Sequence, residues 1–233
     1  PPPPEPPTET LIETPPRPET LPEVLLHVPQ RVAAAVFISD DPLLGPGEQI
    51  ILHERALERF FAPWGLARTS IPAQEAFWGT AAYGSKQGYA ENLQPFPRDR
   101  WEQLVARQNM AAYPSLAAPA IVTRNTALRV LPSNRPFFLD PSLPGEGFPF
   151  DYFQNSALWL GTPVFISHTS LDRAWVFVET AFTSGWMRQE DLALAGEGFR
   201  RDYRSRAMAA VLADETSLLG DGKYLGQAHI GAI

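Results

Sequence analysis

The sequence predicts an α+β protein: a helical amino-terminal region, then a small barrel of short strands, then the opening of a second such barrel. Three observations carry this. Apolar residues recur at a helical period between positions 48 and 112, and they fall in short alternating runs between 120 and 195. Strand–turn–strand chemistry then returns near the end of the chain. With 44% apolar and 19% charged residues, the composition is that of a folded body. It divides into a Pro-rich extended linker over 1–30, a helical region over 31–119, a barrel over 120–198, and a connector with the start of a second barrel over 199–233.

The linker holds 11 of the 25 prolines within its first 29 positions. Each proline removes a backbone donor and biases its predecessor toward extended geometry, which disfavours a packed helix or central strand. Glu5, Glu9, Glu13, Glu19 and Glu23 against the single Arg17 add self-repulsion. The result reads as a stiff, solvated spacer, either a tether to an envelope anchor or a trimmed tail.

In the helical region, Ile50, Leu57, Phe60 and Trp64 lie on one stripe with His53 among them, which predicts a helix over 48–62. A second helix is expected over 98–112. Pro97 suits its start, Asp99 its positive end, and Trp101, Leu104, Val105 and Gln108 share a face. The glycine- and aromatic-rich stretch 77–93 between them reads as ordered loop.

The runs TALRVL (126–131), PVFISH (163–168), WVFVET (175–180) and SGWM (184–187) read as strands. A long excursion over 132–161 separates the first from the second, with an alternation of its own at Phe148, Phe150 and Tyr152. One long early loop followed by tight hairpins is the plan of a five-stranded SH3-like barrel. Leu128, Val130, Val164, Ile166, Val176 and Val178 are its expected core; Trp175 and Trp186 either plug it or line a groove. Residues 199–214 start as helix and turn strand-like by 209–212. After them, Gly220-Asp221-Gly222 supplies a hairpin turn. The chain stops inside an apolar strand and begins without methionine, so the natural protein is expected to continue and this chain to be a processed or trimmed product.

The chemistry the chain can support is narrow. Cysteine is absent, which removes disulfides, thiolate metal sites and a cysteine nucleophile from these residues. A net charge of −7 without a basic stripe argues against a nucleic-acid partner, and no apolar run is long enough to span a bilayer. His27, His53, His168 and His229 stand at no metal-ligand spacing, so neither metal nor cofactor is expected, and His53 reads as a core residue. His168, Ser170 and Asp172 share a strand face, yet a working triad converges from separate elements, so turn chemistry is the better account. The GDGK at 220–223 is a turn and no phosphate loop. Asp40/Asp41 and Glu190/Asp191 read as surface or capping residues. The stretch 150–156, FDYFQNS, offers an aromatic wall carrying a carboxylate and amides, which suits a cationic amine or a peptide. Taken by itself, the stretch is better read as a barrel loop in which Phe150 and Tyr152 plug the core while Asp151 caps a turn.

GYAENLQP (88–95), AAYPSL (111–116) and the long run 121–194, with its R-x-L-P, FDYFQNS, GTPV and GW…DL pieces in order, resemble the amino-terminal half of bacterial NlpC-type cell-wall cysteine peptidases. AHIGAI (228–233) is similar to the opening of a second barrel in that family. The resemblance implies a helical stabilising region and one or two bacterial SH3-like barrels, followed by a papain-like domain with a Cys-His pair. It implies enzymes that cut stem peptides between γ-D-glutamate and the diamino acid, with the first barrel walling the part of the cleft where the free amino end sits. By this resemblance Asp151 and Tyr152 are the substrate-binding residues and no catalytic residue lies in the chain.

Two functions are then expected to compete. One is the non-catalytic targeting and substrate-shaping region of a secreted peptidoglycan endopeptidase of the periplasm or cell envelope. Its partners are the stem peptide and the papain-like domain of the same protein, and its anchor is a lipid reached through the linker. The other is a stand-alone envelope module that binds a peptide or protein.

Overall fold

A computed structural model describes residues 44–204, 208–213 and 215–233. The Pro-rich linker expected over 1–30 lies outside the described residues. The chain divides between Gln49 and Ile50 into two units, and the architecture set out below belongs to the second.

Helix α1 spans Pro46–Phe61, with Glu48 in its first turn and Arg59 in its last, each matched to the helix dipole. A 3₁₀ turn, Ala62–Gly65, continues it. The buried stripe differs from the expected one. Ile50 is 61% exposed, Leu57 and Phe60 are half-buried, and the buried contacts are Phe61 and Trp64. His53 is exposed on this helix, so its expected core place is corrected. Trp64 anchors the helix end to the strands by donating its indole N–H to the Ala120 carbonyl at 2.7 Å.

A short helix, α2 (Ala73–Ala76), precedes the stretch 77–93, and where ordered loop was expected in that stretch a second one stands, α3 (Trp78–Tyr83). Helix α4 covers Arg98–Arg107 and buries Trp101, Leu104 and Gln108 as read from the sequence. It stops short of 112 because Asn109 adopts left-handed geometry (φ 53°), and only a 3₁₀ turn follows at Met110–Ala112.

The sheet has seven strands where five were expected: β1 (Ala118–Val122), β2 (Thr126–Arg129), β3 (Gln154–Leu158), β4 (Pro163–Thr169), β5 (Trp175–Glu179), β6 (Ser184–Arg188) and β7 (Leu192–Leu194). Their order is β3-β2-β6-β5-β4-β1-β7, and every paired neighbour is antiparallel. The sheet curls so that Ala120, Val122, Leu128, Leu158, Val164, Ile166, Val176, Val178 and Met187 meet in one core, with Leu192 at its margin. Five of the six expected core residues are there. The sixth, Val130, is buried in a different cluster, beneath the helices.

Strands β4 and β5 are buried on both faces because the helical region covers the outside of the sheet. Trp175, Phe177 and Trp186 pack there against Ala76 and Phe77, which settles both tryptophans as interlayer plugs. A second shared cluster joins Tyr83, Phe96, Trp101 and Leu104 to Val130, Leu131, Phe137 and Phe153. The carboxylate of buried Glu179 on β5 holds the segment leading into α2. It accepts from Thr69 Oγ1 at 2.5 Å and from Ser70 Oγ at 2.6 Å.

Helix α5 (Glu197–Tyr203) follows the barrel, and β8 (Thr216–Gly220) pairs with β9 (Lys223–Ala228) as a hairpin. Its turn residues Asp221 (φ 49°) and Gly222 (φ 74°) both take positive φ, as the sequence required. Residues 209–212 form no strand.

Candidate functional site

The loop from β2 to β3 builds the site. Its expected alternation does not exist as a strand: Phe148 and Phe150 are exposed by 83% and 54%, while Phe137 and Phe153 turn inward and stack at 4.8 Å. The inward pair nails both ends of the loop to α4 and α3, and the outward pair is left at its rim. Between the rim and α3 lies a groove of about 340 Å³, lined among others by Trp78, Tyr83, Phe150, Tyr152, Gln154 and Asn155. Trp78 is 41% exposed. Its ring lies 5.9 Å from Tyr83, whose ring lies 5.8 Å from Tyr152, so an aromatic row crosses from the helical region to the barrel loop.

Behind this row sits Arg129, the arginine of the R-x-L-P piece, with its side chain only 5% exposed. It donates to the carbonyls of Ser133 (2.8 Å) and Arg135 (3.2 Å), to Gln154 Oε1 (2.7 Å) and to Asp151 Oδ2 (2.8 Å). A buried guanidinium needs this many acceptors, and the loop wraps around it to provide them. Asp151 Oδ1 in turn accepts the backbone N–H groups of Phe137 (3.0 Å) and Phe153 (2.9 Å). The carboxylate expected to meet a substrate is therefore engaged from within, as the loop's internal clasp. Tyr152 does reach the groove, and its hydroxyl donates to Glu146 Oε2 at 2.9 Å. The Glu146 carboxylate beside it, with burial adding, holds the phenol pKa above its ordinary range, so the hydroxyl stays a donor.

Asp151 and Tyr152 are thus neighbours with different tasks. Sequence reasoning missed Arg129, Glu146 and Trp78. Arg129 was signalled by the R-x-L-P piece, but nothing local marked Glu146 or the exposed face of α3.

His168, Ser170 and Asp172 do not form a relay. His168 is fully buried, with Nε2 against the Gln108 carbonyl and Nδ1 against Ser115 Oγ, both at 2.8 Å. A carbonyl only accepts, so Nε2 carries the proton and Nδ1 receives the serine hydroxyl. Ser170 donates instead to Asp172 (2.6 Å), which pairs with Arg107 (3.2 Å). Asp191 caps nothing solvent-facing: it is buried, accepts from Thr126 Oγ1 at 2.5 Å, and forms a short contact with Arg124. Among the described residues no cluster of three or more His, Asp or Glu is placed to hold a metal ion, and no helix is long and apolar enough to cross a membrane.

A seven-stranded barrel whose outer face and longest loop are covered by a helical region, with a ligand-sized groove at their seam, defines a class of accessory module. Comparison with known proteins names it. Residues 6–113 match the family model described as the NLPC_P60 stabilising domain, N term, and residues 136–188 match the SH3 domain of SH3b1 type. A solved structure of a novel NlpC/P60 endopeptidase from Photobacterium damselae subsp. piscicida superposes with a TM-score of 0.75 at 22% identity, a likeness of fold. The match covers 88% of this chain and 50% of that one, so the chain spans half the length of its structural relative. No curated protein matches. The chain is similar to the amino-terminal part of NlpC-type peptidases, with the stabilising-domain match and the SH3-domain match in that order.

Proposed function

We propose that the chain is the accessory region of a peptidoglycan endopeptidase that cleaves γ-D-glutamyl–diamino acid bonds in stem peptides. On this reading it contributes wall targeting and one wall of the substrate cleft. The observation that carries it is the groove itself, an aromatic and carboxylate-bearing recess shared by the stabilising and SH3 domains. Its size suits the end of a short peptide, and its aromatic rim favours a cationic terminus over an anionic one. Tyr152 is the proposed direct contact. Asp151 belongs to the same site as the residue that, through Arg129, holds Tyr152 and Gln154 in place. The bond-breaking Cys-His pair is proposed to reside on a papain-like domain of the same protein, since these 233 residues contain no cysteine. A periplasmic or envelope location goes with that substrate, and the Pro-rich linker is proposed as the tether to an anchor there.

Purified muropeptides test the proposal. The 233-residue chain alone releases no fragments, while the complete gene product yields products ending at γ-D-glutamate. Cleavage by this chain alone overturns the placing of the nucleophile on another domain, and a complete product that binds muropeptides without cutting them returns the protein to the class of independent binding modules.

A further inference from the structure

A second cavity, of about 310 Å³, lies between the loop that leaves α3, the start of α4 and Phe137, and it shares no lining residue with the groove. Its volume is at the small end of the range for ligand pockets. The GYAENLQP piece, which the groove leaves unused, opens at this cavity with Gly88. Phe96 donates its backbone N–H to the Gly88 carbonyl at 2.7 Å and closes the piece into a loop. Gly88 presses so closely on Phe137 that a Cβ would stand 2.0 Å from Cε2 of that ring. The buried rings of Phe96, Trp101 and Phe137 give the cavity an apolar back.

Its charged lining is all cationic. Lys86 and Arg98 are exposed on it, and no carboxylate lines it. Lys86 forms no ion pair with a described carboxylate. Its ammonium rests 5.6 Å from the centre of the Tyr83 ring, on a stem flexible enough to turn. Arg98 pairs through Nε with Glu102 at 3.2 Å and donates from Nη1 to the Gly84 carbonyl at 3.2 Å. That fixes the guanidinium against the loop and leaves Nη2 without a described acceptor. The Ser85 hydroxyl, also on the lining, is likewise uncommitted among the described residues.

We propose that this cavity binds a carboxylate carried on a small apolar body, the chemistry shared by a free peptide carboxy-terminus and a sugar acid. Lys86 and Arg98 receive the charge, Ser85 adds a neutral donor, and the three rings take the body. The site goes beyond the proposed function and does not rest on it. It belongs to the part of the chain matched as a stabilising domain, and it selects the charge opposite to the one the groove favours.

The experiment is an NMR titration of the 233-residue chain, followed on the backbone amides of 84–88. The probes are N-acetyl-D-alanine, a peptide-like carboxylate; D-glucuronate, a sugar acid; and N-acetyl-D-alaninamide, which keeps the first probe's body and lacks its charge. At least one carboxylate shifts these amides saturably, more weakly as salt is raised, and the neutral amide does not. The tighter of the two carboxylates assigns the source. Lys86→Gln weakens that binding by about three- to tenfold at an unchanged melting temperature, as expected for one charge-assisted contact open to solvent. Arg98→Gln, compared at matched folded fraction, weakens it as well, and Lys86→Glu abolishes it. Equal shifts from the neutral amide, no shift at 84–88 from either carboxylate, shifts confined to residues 150–155 of the groove, or a Lys86→Gln variant that binds like the parent overturns the assignment.

Discussion

At the scale of single residues, the chain shows how burial decides what a polar group does. Arg129 and Asp151 are 22 positions apart, and their pairing turns a suggestive loop carboxylate into a structural clasp. The sequence made Asp151 and Tyr152 visible as a pair but was silent on their division of labour, because that depends on an arginine brought up by β2. His168 shows the same dependence. Burial lowers its pKa below the ordinary value, opposed in part by its hydrogen bond to the Gln108 carbonyl. The folded state therefore keeps a neutral ring at pH values where the unfolded chain, titrating near about 6.5, takes up a proton. The unfolded state then binds more protons, so stability falls as pH drops from about 6.5 toward the depressed folded value, by at most about 1.4 kcal/mol per pH unit for one site. Below the folded value the loss levels off. Urea unfolding of the chain between pH 7.5 and 5 is expected to show this slope. His168→Gln, which keeps a donor and an acceptor but does not titrate, is expected to flatten it at a lower overall stability. A slope identical in both proteins would assign it to other groups.

At the scale of elements, the parts legible in advance were those whose pattern is local. Leu128, Val164, Ile166, Val176 and Val178 alternate within their runs and do fill the barrel. The turn at Asp221-Gly222 announces itself by residue type. Strands β1, β3 and β7 escaped because the first contains Pro119, the second reads QNSAL with little apolar alternation, and the third has three residues, too few for a period-two signal. Helix α3 escaped because glycine dominated its reading, yet Gly79 is there for packing. A Cβ at that position would lie 2.1 Å from Val130 Cγ1 and 3.0 Å from Leu131 Cδ1. In an exposed helix, alanine would improve on glycine by about 1 kcal/mol. Here the propensity gain meets an overpacking cost of about 1–3 kcal/mol, and Val130 and Leu131 are themselves buried with nowhere to move. Packing wins, so Gly79→Ala is expected to lower stability, by up to about 2 kcal/mol, read by chemical denaturation. A stabilised variant would mean that α3 is free to lift from the β2–β3 loop.

At the scale of the molecule, the expected division at residue 119 marks a change of secondary structure, and the packing runs straight across it. Of the four hydrophobic clusters among the described residues, only the barrel interior is built from barrel residues alone. Trp175, Phe177 and Trp186 are at most 3% exposed beneath Ala76 and Phe77, Val130, Leu131, Phe137 and Phe153 are closed over by α3 and α4, and Ile121 lies under Trp64. Burying one large apolar side chain is worth about 1.5–3 kcal/mol, so uncovering even half of this set forfeits about 6–12 kcal/mol. A whole domain is stable by only about 5–15 kcal/mol. The matched name of the helical part, a stabilising domain, thus has a direct physical content: it is the missing half of the barrel's outer core. A fragment spanning 118–195 is accordingly expected to lose the near-ultraviolet dichroism of its packed tryptophans, bind a hydrophobic dye and unfold without a cooperative transition. A fragment spanning 50–204, which keeps α1 through α5 from Ile50 on, is expected to unfold in one step by both tryptophan fluorescence and far-ultraviolet dichroism. Cooperative unfolding of the shorter fragment at parental stability would show that the helices only decorate a self-sufficient barrel. The groove would then have to draw its rigidity from the Arg129 clasp alone.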